Sequence, residues 1–334
     1  MKNLILVDYD VPDDWEFKEA VEKASKEPWE VFKAVTNGYH GGKLKELIRY
    51  IMYFLVPIKV LFRRSSYKNV LAWQQFFGII LAFYFRLFHV KNAPQITIMT
   101  FIFKPKKSIF GIVYKRFIEF SVKSNYINKI IVFSENEKKY YAELFSMNSE
   151  IFIAETLGIE DSYMAMKPYI KDEGYFVSAG RSNRDYSFLC NNWMDDFGTL
   201  KIITDSDVNH NASKAIEVIR DCYDSDFLKI LSGCRGVIIP LQDVNISSGQ
   251  LVVLQSMMLG KPVIATENAS VTSYLSNKKT GFIIGKNKYE LEEAIEQIKQ
   301  DSIYFELSEN SREEFKKLFS LYAMGVRIGG MFCE

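Results

Sequence analysis

The sequence predicts an α/β protein with two domains, each built around a parallel β-sheet. Short β-branched runs bounded by polar or turn residues recur along the chain, and helical patterns fall between them. Strands that alternate with helices in this way form parallel sheets covered by helices. The length of 334 residues is enough for two domains that each bury their own core.

The predicted strands are short and occur in both halves of the chain. They are expected at residues 4–7, 70–73, 96–103, 130–133, 151–153, 175–179, 201–204, 236–240, 262–266 and 282–284. Two helix starts carry a capping box, in which a cap side chain and a glutamate three residues later satisfy backbone N–H groups. Ser134 with Glu137 opens one such helix, and Asn287 with Glu290 opens another.

The composition is that of a globular intracellular protein. Hydrophobic residues make up 48% of the chain and charged residues 25%, which is ordinary globular usage. The four cysteines lie far apart and form no CxxC pair, so we expect reduced thiols and no structural zinc. The start, MKNLILVDYD, has too short an apolar run for a signal peptide. We therefore expect a cytoplasmic protein.

Charge is distributed unevenly between the two halves. Residues 1–170 contain 24 Lys and Arg against 18 Asp and Glu, whereas the remaining residues contain 18 against 23. We expect the basic first half to face the anionic inner surface of the cell membrane. Nucleic acid is not an expected partner, because the whole chain has a net charge of only +1 and no nucleic-acid-binding motif.

Two segments of the first half, residues 47–62 and 76–90, are apolar on most faces. Both are shorter than the roughly 20 uninterrupted apolar residues that cross a bilayer. Each is compatible with an interfacial helix or with a buried helix that covers a sheet. We favour burial for residues 76–90 and membrane contact for residues 47–62, because Arg63 and Arg64 follow the latter directly.

The most informative stretch is residues 237–266, which predict a strand, a polar loop, a helix and a second strand. The free N–H groups at a helix start point along the helix dipole, and this is where proteins bind phosphate. The residues expected around such a phosphate are Ser247, Ser248, Gly249, Gln250 and Leu251. Gln255 lies farther along the same helix and is expected to reach the ribose hydroxyls of a nucleotide.

This segment resembles the donor-binding block of GT-B glycosyltransferases, especially family-4-like enzymes of bacterial polysaccharide synthesis. A loop, a helix start and a strand reading GKPVIAT follow in the same order, and the resemblance covers residues 172–300. Such enzymes usually carry glutamates at the positions of Ser247 and Gln255. The resemblance implies that Gln255 can still bind ribose through its amide, but without a negative charge.

The strand predicted at residues 175–179 leads into Gly180 and Arg181. In GT-B enzymes the corresponding turn supplies glycine and basic residues to the donor phosphates, so the resemblance implies this role for Gly180, Arg181 and Arg184. A guanidinium pairs with two phosphate oxygens and keeps its charge, which also stabilises a leaving diphosphate. For Arg184 the alternative is a solvated position at a helix start.

The resemblance implies two Rossmann-like domains that face each other across a cleft. The acceptor domain is expected at residues 1–165 and the donor domain at 172–305, with the polar stretch 158–173 as the hinge. Residues 311–334 are expected to pack back on the first domain. The implied reaction transfers a sugar from a nucleoside-diphosphate sugar, most simply a UDP-sugar, to a saccharide or lipid-linked acceptor, with no further cofactor.

The catalytic base and the acceptor contacts remain open at this stage. A reaction that inverts configuration needs a base from the first domain, whereas one that retains configuration does not. The candidates for the base are Asp8, Asp10, His40 and Glu119, of which we retain Asp10 and His40. Lys104 and Lys107 follow the strand predicted at residues 96–103 and are candidates for an acceptor phosphate, against the alternative of a solvated turn.

Two D-x-D patterns, at residues 205–207 and 8–10, match the pattern by which single-Rossmann transferases hold a divalent metal. Three-residue patterns arise often by chance, and acids just past a strand are normally turn or cap residues. We therefore expect no metal site and a metal-independent mechanism.

Two other functions are compatible with parts of the sequence. A catalytically silent homologue, acting as a binding or membrane-recruiting subunit, would explain Ser247 and Gln255 in place of glutamates. A dehydrogenase is disfavoured, because the first strand is followed by DYDVP and not by a G-x-G-x-x-G fingerprint.

Overall fold

The computed structural model describes residues 1–34, 43–209, 213–244, 248–268 and 271–333. The chain divides into two compact units, the first comprising Met1–Leu157 with Gly325–Glu334 and the second Gly158–Met324. Each unit contains a six-stranded sheet, which confirms the predicted α/β class. Two predicted site residues, His40 and Ser247, lie outside the described residues.

The sheet of the first unit is parallel, with the strand order β2-β1-β3-β4-β5-β6. Its strands are β1 (Lys2–Val7), β2 (Trp29–Lys33), β3 (Tyr67–Ala72), β4 (Gln95–Ile98), β5 (Ile127–Val132) and β6 (Phe152–Ala154). Five of the six residues of β1 are buried, because a parallel sheet is covered by helices on both faces.

The helices of the first unit are α1 (Glu16–Ser25), α2 (Lys43–Phe62), α3 (Gln75–Leu87), α4 (Ile109–Val122) and α5 (Glu135–Phe145). Right-handed crossovers place α2 to α5 on one face of the sheet and α1 on the other. In that layer α3 packs against both α2 and α4. Phe77, Ile79 and Phe85 of α3 are fully buried, in agreement with the core helix favoured for residues 76–90. Among the described residues no helix could cross a membrane.

The sheet of the second unit is also parallel, with the order β12-β11-β10-β7-β8-β9. Its strands are β7 (Phe176–Ala179), β8 (Leu200–Ile203), β9 (Ile216–Ile219), β10 (Gly236–Ile239), β11 (Val263–Thr266) and β12 (Gly281–Ile284). The order reverses between β7 and β10, so the connections from these adjacent strands leave in opposite directions.

The helices of the second unit are α6 (Tyr163–Met166), α7 (Tyr186–Asn192), α8 (Asp224–Gly233), α9 (Gln250–Met258), α10 (Lys288–Lys299) and α11 (Asp301–Glu314). A π-helical turn, Phe315–Phe319, follows α11, and the last helix is α12 (Leu321–Gly330). Both predicted caps are present. The Ser134 hydroxyl accepts from the Glu137 N–H at 3.1 Å, and the Asn287 side chain accepts from the Tyr289 N–H at 2.8 Å.

The structure differs from the predicted strands in two respects. Strands β2 and β9 were not predicted, because each lies at a sheet edge and has a single buried residue, which leaves a weak apolar pattern. The strand predicted at 96–103 ends at Ile98. The apolar run of the sequence extends beyond the end of β4 because Phe101 and Phe103, in the following loop, are buried in the core.

The boundary between the units lies at Leu157/Gly158, earlier than the predicted division between residues 165 and 172. Ile159 accounts for this difference, since its N–H donates to the Phe319 carbonyl at 3.0 Å and its carbonyl accepts from the Leu321 N–H at 2.8 Å. The helix predicted from residue 311 is interrupted at Ser320. Only Gly325–Glu334 of the predicted segment 311–334 belongs to the first unit.

Two glycines of α12 allow it to contact the backbone of α1. A Cβ atom added at Gly325 would lie 2.7 Å from the Phe17 carbonyl oxygen, and one at Gly329 would lie 2.7 Å from the Val21 carbonyl oxygen. A Cβ at the neighbouring Gly330 would meet no atom within 4 Å. The close approach of the two helices therefore depends on the absence of a side chain at the first two positions.

We predict that Gly329→Ala destabilises the protein by about 1–3 kcal/mol, because the added methyl overpacks the α1–α12 contact. Gly330→Ala is the matched control and should leave the midpoint of thermal unfolding unchanged or slightly raised, since alanine favours helix over glycine. Calorimetry of the three proteins measures the difference. Equal unfolding midpoints for the two variants would contradict the proposed packing constraint.

Candidate functional site

The candidate site lies in the second unit, where the strand order reverses between β7 and β10. In parallel α/β sheets, ligands bind beyond the carboxyl ends of the strands at such a point. The chain leaving β7 forms the turn to α7, and the chain leaving β10 forms the loop to α9. These are the two segments in which the sequence analysis placed the donor-binding residues.

The turn after β7 is held by Arg184. Its guanidinium donates to the carbonyls of Ala179 and Ser182, both at 2.9 Å. Gly180 has a φ of +128°, and a Cβ added there would lie 2.6 Å from the Arg184 guanidinium. Glycine is therefore required both for the backbone conformation and for the room that Arg184 occupies. The guanidinium of Arg184 is engaged with backbone carbonyls and is not solvated as at an open helix start.

Arg181, in contrast, projects outward. Its side chain is 68% exposed, and its guanidinium lies 3.5 Å from a carboxylate oxygen of Asp205. It also lies 5.9 Å from the centre of the Tyr223 ring. The Asp205 carboxylate accepts hydrogen bonds from the Tyr223 hydroxyl at 2.8 Å and from the Asp221 N–H at 3.2 Å. These hydrogen bonds, the tyrosine's above all, lower the pKa of Asp205, so it remains a carboxylate beside Arg181.

Asn183 joins the β7 turn to the β10 loop. Its amide nitrogen donates to the Asp243 carbonyl and to the Ser248 hydroxyl, both at 3.1 Å, and its amide oxygen accepts from the Asp243 N–H at 2.8 Å. Asn268 adds a further bond to the Asp243 carbonyl at 2.9 Å. The two loops that carry the predicted site residues therefore hold each other in position.

The helix α9 begins directly after this loop. Gly249 caps it with a φ of +90°, and a Cβ added there would lie 3.2 Å from the Ile239 side chain. The first backbone bond of the helix runs from the Val253 N–H to the Gly249 carbonyl at 3.0 Å. N–H groups of the preceding turn have no acceptor inside a helix, so this end of α9 carries partial positive charge.

A pocket of about 260 Å³ lies between these elements. Its walls come from the end of β7, the end of β8, the start of α8 and the first two turns of α9. The lining residues are Ala179, Gly180, Arg181, Ile203, Thr204, Asp205, Cys222, Tyr223, Asp224, Phe227, Leu251, Val252 and Gln255. A cation, a helix start and aromatic and aliphatic side chains thus face one volume, which is the combination that a nucleotide requires.

Four predicted site residues line this pocket together: Gly180, Arg181, Leu251 and Gln255. The other described residues of the predicted donor site lie beside the pocket. Arg184 supports the turn, Ser248 is bonded to Asn183, and Gly249 and Gln250 form the cap and first residue of α9.

Sequence reasoning missed Cys222, Tyr223 and Phe227, which form one wall of the pocket. They lie between β9 and α8 or in the first turn of α8, and β9 was not predicted. The short run at 216–219 followed by acidic turn residues was the available signal. A prediction of β9 would have placed Tyr223 just past the carboxyl edge of the sheet.

Lys261 belongs to the GKPVIAT segment but does not reach the pocket. Its side chain is buried, and its amine donates to the carbonyls of Lys171 at 3.0 Å and Cys234 at 2.9 Å. Burial lowers the pKa of this amine. In this chain the lysine anchors the start of β11, so part of the segment that carries the resemblance is structural.

The candidates in the first unit are spread over different positions. Asp8 and Asp10 follow β1, and their carboxylates contact Gln74 at 3.2 Å and Lys33 at 3.4 Å, respectively. Glu119 lies near the end of α4 and pairs with Lys123. Lys104 and Lys107 are exposed in the loop before α4. A separate groove of about 480 Å³, between α2 and β2, contains none of these residues.

The acids of the second D-x-D pattern have separate partners. Asp205 contacts Tyr223 and Arg181, whereas Asp207 pairs with Arg220 at 3.2 Å. Within the described ranges, no three His, Cys, Asp or Glu side chains are grouped as a metal site would require.

Comparison with known proteins extends these observations. Residues 203–318 match the family model described as glycosyl transferases group 1, and a search of curated proteins found no match. A solved glycosyltransferase from Rickettsia africae is 13% identical, with a TM-score of 0.63 over 99% of this chain and 97% of its own.

Two other solved structures have similar folds over nearly their full lengths. HepE from Anabaena, solved with UDP and glucose, is 12% identical with a TM-score of 0.59, and 99% of each chain is covered. WaaG, a glycosyltransferase involved in lipopolysaccharide biosynthesis, is 10% identical with a TM-score of 0.58, again over 99% of each chain. The whole chain therefore has the GT-B fold of these glycosyltransferases, and residues 203–318, the larger part of the site-bearing unit, match the group 1 glycosyltransferase model.

Proposed function

We propose that this glycosyltransferase uses a nucleoside-diphosphate sugar, most simply a UDP-sugar, and binds it in the pocket of the second unit. The observation that carries the proposal is the convergence of Arg181, the start of α9 and Gln255 on one volume. The binding of UDP and glucose by HepE supports the choice of donor. No further cofactor is included in the proposal.

In this proposal the diphosphate lies between Arg181 and the amino-terminal turn of α9. The nucleobase contacts Tyr223, Phe227 and Leu251, which offer aromatic and aliphatic surface, and the Gln255 amide binds the ribose hydroxyls. When the bond from the anomeric carbon to the diphosphate oxygen breaks, negative charge grows on the departing diphosphate. Arg181 and the helix start stabilise that charge, and both are in position before the reaction begins.

Gln255 and Ser247 give this donor site a different charge from one that carries glutamates. An amide donates and accepts hydrogen bonds without repelling a diphosphate. Two carboxylates, Asp205 and Asp224, line the pocket beside the positive groups, and Asp205 is paired with Arg181. We propose that transfer relies on Arg181 and the α9 dipole, with Gln255 binding the ribose.

The proposed acceptor is a saccharide or lipid-linked saccharide of cell-surface polysaccharide synthesis, used at the inner face of the cell membrane. Two observations support this part of the proposal. The fold is similar to that of WaaG, which is involved in lipopolysaccharide biosynthesis. In addition, α2 exposes Leu47, Phe54 and Leu55 by about half of their surface, as an interfacial helix would.

We predict that Arg181→Ala weakens the binding of UDP-glucose about 10- to 100-fold, because a charge-assisted contact to phosphate is lost. Gln255→Ala should weaken it about three- to tenfold through the loss of neutral hydrogen bonds. Lys229→Ala and Gln297→Ala are matched controls, since Lys229 is exposed and Gln297 is half-buried in the same unit, and neither lines the pocket.

Titration calorimetry with UDP-glucose, and with GDP- and dTDP-sugars in parallel, measures these affinities. Unchanged affinity in both pocket variants would refute the proposed location of the donor. If the wild-type protein bound none of the nucleotide sugars, the proposed donor would be wrong, and the catalytically silent homologue that acts as a binding or membrane-recruiting subunit would replace it.

Cys222 provides a second test, because its thiol lines the pocket and the other thiols can be distinguished from it. Cys190 and Cys234 are buried, whereas Cys333 is exposed. In a Cys333→Ser background we expect maleimide to modify Cys222, and UDP at ten times its Kd to slow the reaction roughly tenfold. Cys222→Ser with Cys333 retained is the control, in which UDP should have no effect.

The pH dependence of this modification follows from the environment of Cys222. Burial, with a smaller contribution from the charge of Asp226, raises the pKa of its thiol. Because the thiolate is the reactive form, the rate should still rise steeply at pH 9, where a free thiol with a pKa of about 8.5 levels off. A plateau below pH 8, measured by mass spectrometry, would contradict this environment.

A further inference from the structure

The layer formed by α2, α3 and α4 belongs to a segment without acidic residues. Between Glu46 and Glu119 the sequence contains 12 Lys and Arg but no Asp or Glu. The segment includes nearly all of α2, all of α3 and the first ten residues of α4. The part of this face formed by α2, α3 and the first ten residues of α4 is therefore rich in cations and nearly free of carboxylates, which attracts an anionic surface, whereas the neighbouring α5 carries three glutamates.

The amino-terminal turns of α4 expose an unusual amount of apolar surface. The exposed fractions are 79% for Ile109, 87% for Phe110, 51% for Ile112 and 61% for Val113. Neighbouring apolar side chains that project into solvent mark an interaction surface more often than a chance arrangement. We call these four residues the α4 tip.

Lysines are held next to the α4 tip by a close backbone contact. Ser108 caps the helix and accepts from the Gly111 N–H at 3.1 Å. A Cβ added at Gly111 would clash with the carbonyl oxygen of Lys106, so glycine lets the preceding loop fold against the helix. The loop carries Lys104, Lys106 and Lys107, and Lys115 and Arg116 follow the tip on the helix. The apolar tip thus has cations on both sides along the chain.

Three of these five cations, Lys104, Lys106 and Lys107, lie in the loop, whereas Lys115 and Arg116 are close enough to Glu119 for their charges to lower its pKa. None of the five forms a salt bridge in the part of the chain that the structure describes, and the nearby carboxylate of Glu119 is paired with Lys123. Their charge is therefore available to an outside anion. Side chains of this kind reach headgroup phosphates when the apolar residues between them enter a bilayer.

The α4 tip and the first half of α2 lie at the same edge of the sheet. Strands β2 and β4 are parallel, and α2 and α4 each begin after the carboxyl end of one of them. The exposed residues at the start of α2, Leu44, Leu47 and Ile51, recur at helical spacing. With α3 packed between the two helices, apolar side chains emerge at two places along one edge.

We propose that the α4 tip is inserted into the outer part of an anionic lipid bilayer, while Lys104, Lys106 and Lys107 bind headgroup phosphates. This deepens the membrane part of the proposed function and rests on it. A bilayer is favoured over an acidic protein because the apolar side chains project singly from a helix start and do not line a groove. Fluid acyl chains accommodate such projections, whereas a protein would need a matching pocket. The tip enters to a depth of about 5–10 Å.

This proposal assigns Lys104 and Lys107 to lipid phosphates and not to the phosphate of a reacting acceptor. It also places the carboxyl edge of the first unit's sheet, where Asp8 and Asp10 lie, next to the bilayer. A lipid-linked acceptor then needs no extraction from the membrane, because its polar head lies at the edge that the tip anchors.

Flotation with vesicles tests the proposal on the full chain. The vesicles contain phosphatidylcholine with phosphatidylglycerol, or phosphatidylcholine alone. We expect the wild type to bind the anionic vesicles and an Ile109→Ser/Phe110→Ser variant to bind them at least about tenfold more weakly. Lys106→Gln/Lys107→Gln should lose about tenfold on anionic vesicles and little on neutral ones. Phe305→Ser is the matched control, since Phe305 is 65% exposed in the second unit.

Three outcomes would overturn the proposal: no binding of the wild type, equal binding by the Ile109→Ser/Phe110→Ser variant, or loss only when Leu47 and Phe54 of α2 are replaced by serine. The affinity for UDP-glucose, measured without vesicles, separates this proposal from the donor assignment. The Ile109→Ser/Phe110→Ser variant should keep the wild-type affinity for UDP-glucose. If the wild type binds UDP-glucose but its vesicle binding does not depend on the α4 tip, only the membrane proposal is refuted. If its vesicle binding depends on the tip but it does not bind UDP-glucose, only the donor assignment is refuted.

Discussion

The pocket of the second unit, the proposed donor site, depends on the hydrogen bonds that join two loops, and the Asn183 side chain makes several of them. These bonds join the turn after β7 to the loop after β10, and they include the Ser248 hydroxyl at the start of α9. Arg181 lies in the turn after β7 and Gln255 lies in α9, so their separation depends on how the two loops are held together. Backbone hydrogen bonds contribute as well, from the Asp185 N–H to the Pro240 carbonyl at 2.7 Å and from the Gln242 N–H to the Asn183 carbonyl at 3.3 Å. The Asn183 side chain adds the bonds that reach Ser248 at the start of α9.

The pocket contains one ion pair, between Arg181 and Asp205, and a second carboxylate, that of Asp224. Asp205 accepts hydrogen bonds from Tyr223 and from a backbone N–H, and it keeps Arg181 beside the pocket before any donor arrives. An arginine ordered in this way loses less side-chain entropy when a phosphate binds. The Asp205 carboxylate would also repel the phosphate of the proposed donor. This repulsion would weaken binding unless Arg181 contacted the carboxylate and the phosphate at the same time. Its fork of five N–H donors makes simultaneous contact feasible.

Much of the fold could be predicted from the sequence, and the reasons are physical. Central parallel strands need apolar residues on both faces, so β1, β7 and β10 have clear patterns, and Gly249 before an apolar run marked the start of α9. The edge strands β2 and β9 have weak apolar patterns. Because β9 was not predicted, Tyr223 was not recognised as a residue that lines the pocket. The role of Arg184 was not predictable either, because its partners are backbone carbonyls whose positions no residue pattern encodes. The α4 tip was missed since apolar residues on a helix normally indicate a core, and only the structure shows which face is uncovered.

The path of the chain gives the second unit the character of an insertion. Leu157 and Gly325 belong to the first unit, and the segment between them forms the second. The ends of that segment adjoin, since the Gly158 N–H lies 3.3 Å from the Met324 sulfur and Ile159 pairs with Ser320. One continuous segment of the chain therefore forms the whole second unit, with its entry and exit side by side. Because these ends adjoin, the second unit has the connectivity of a domain inserted at a single point of the first.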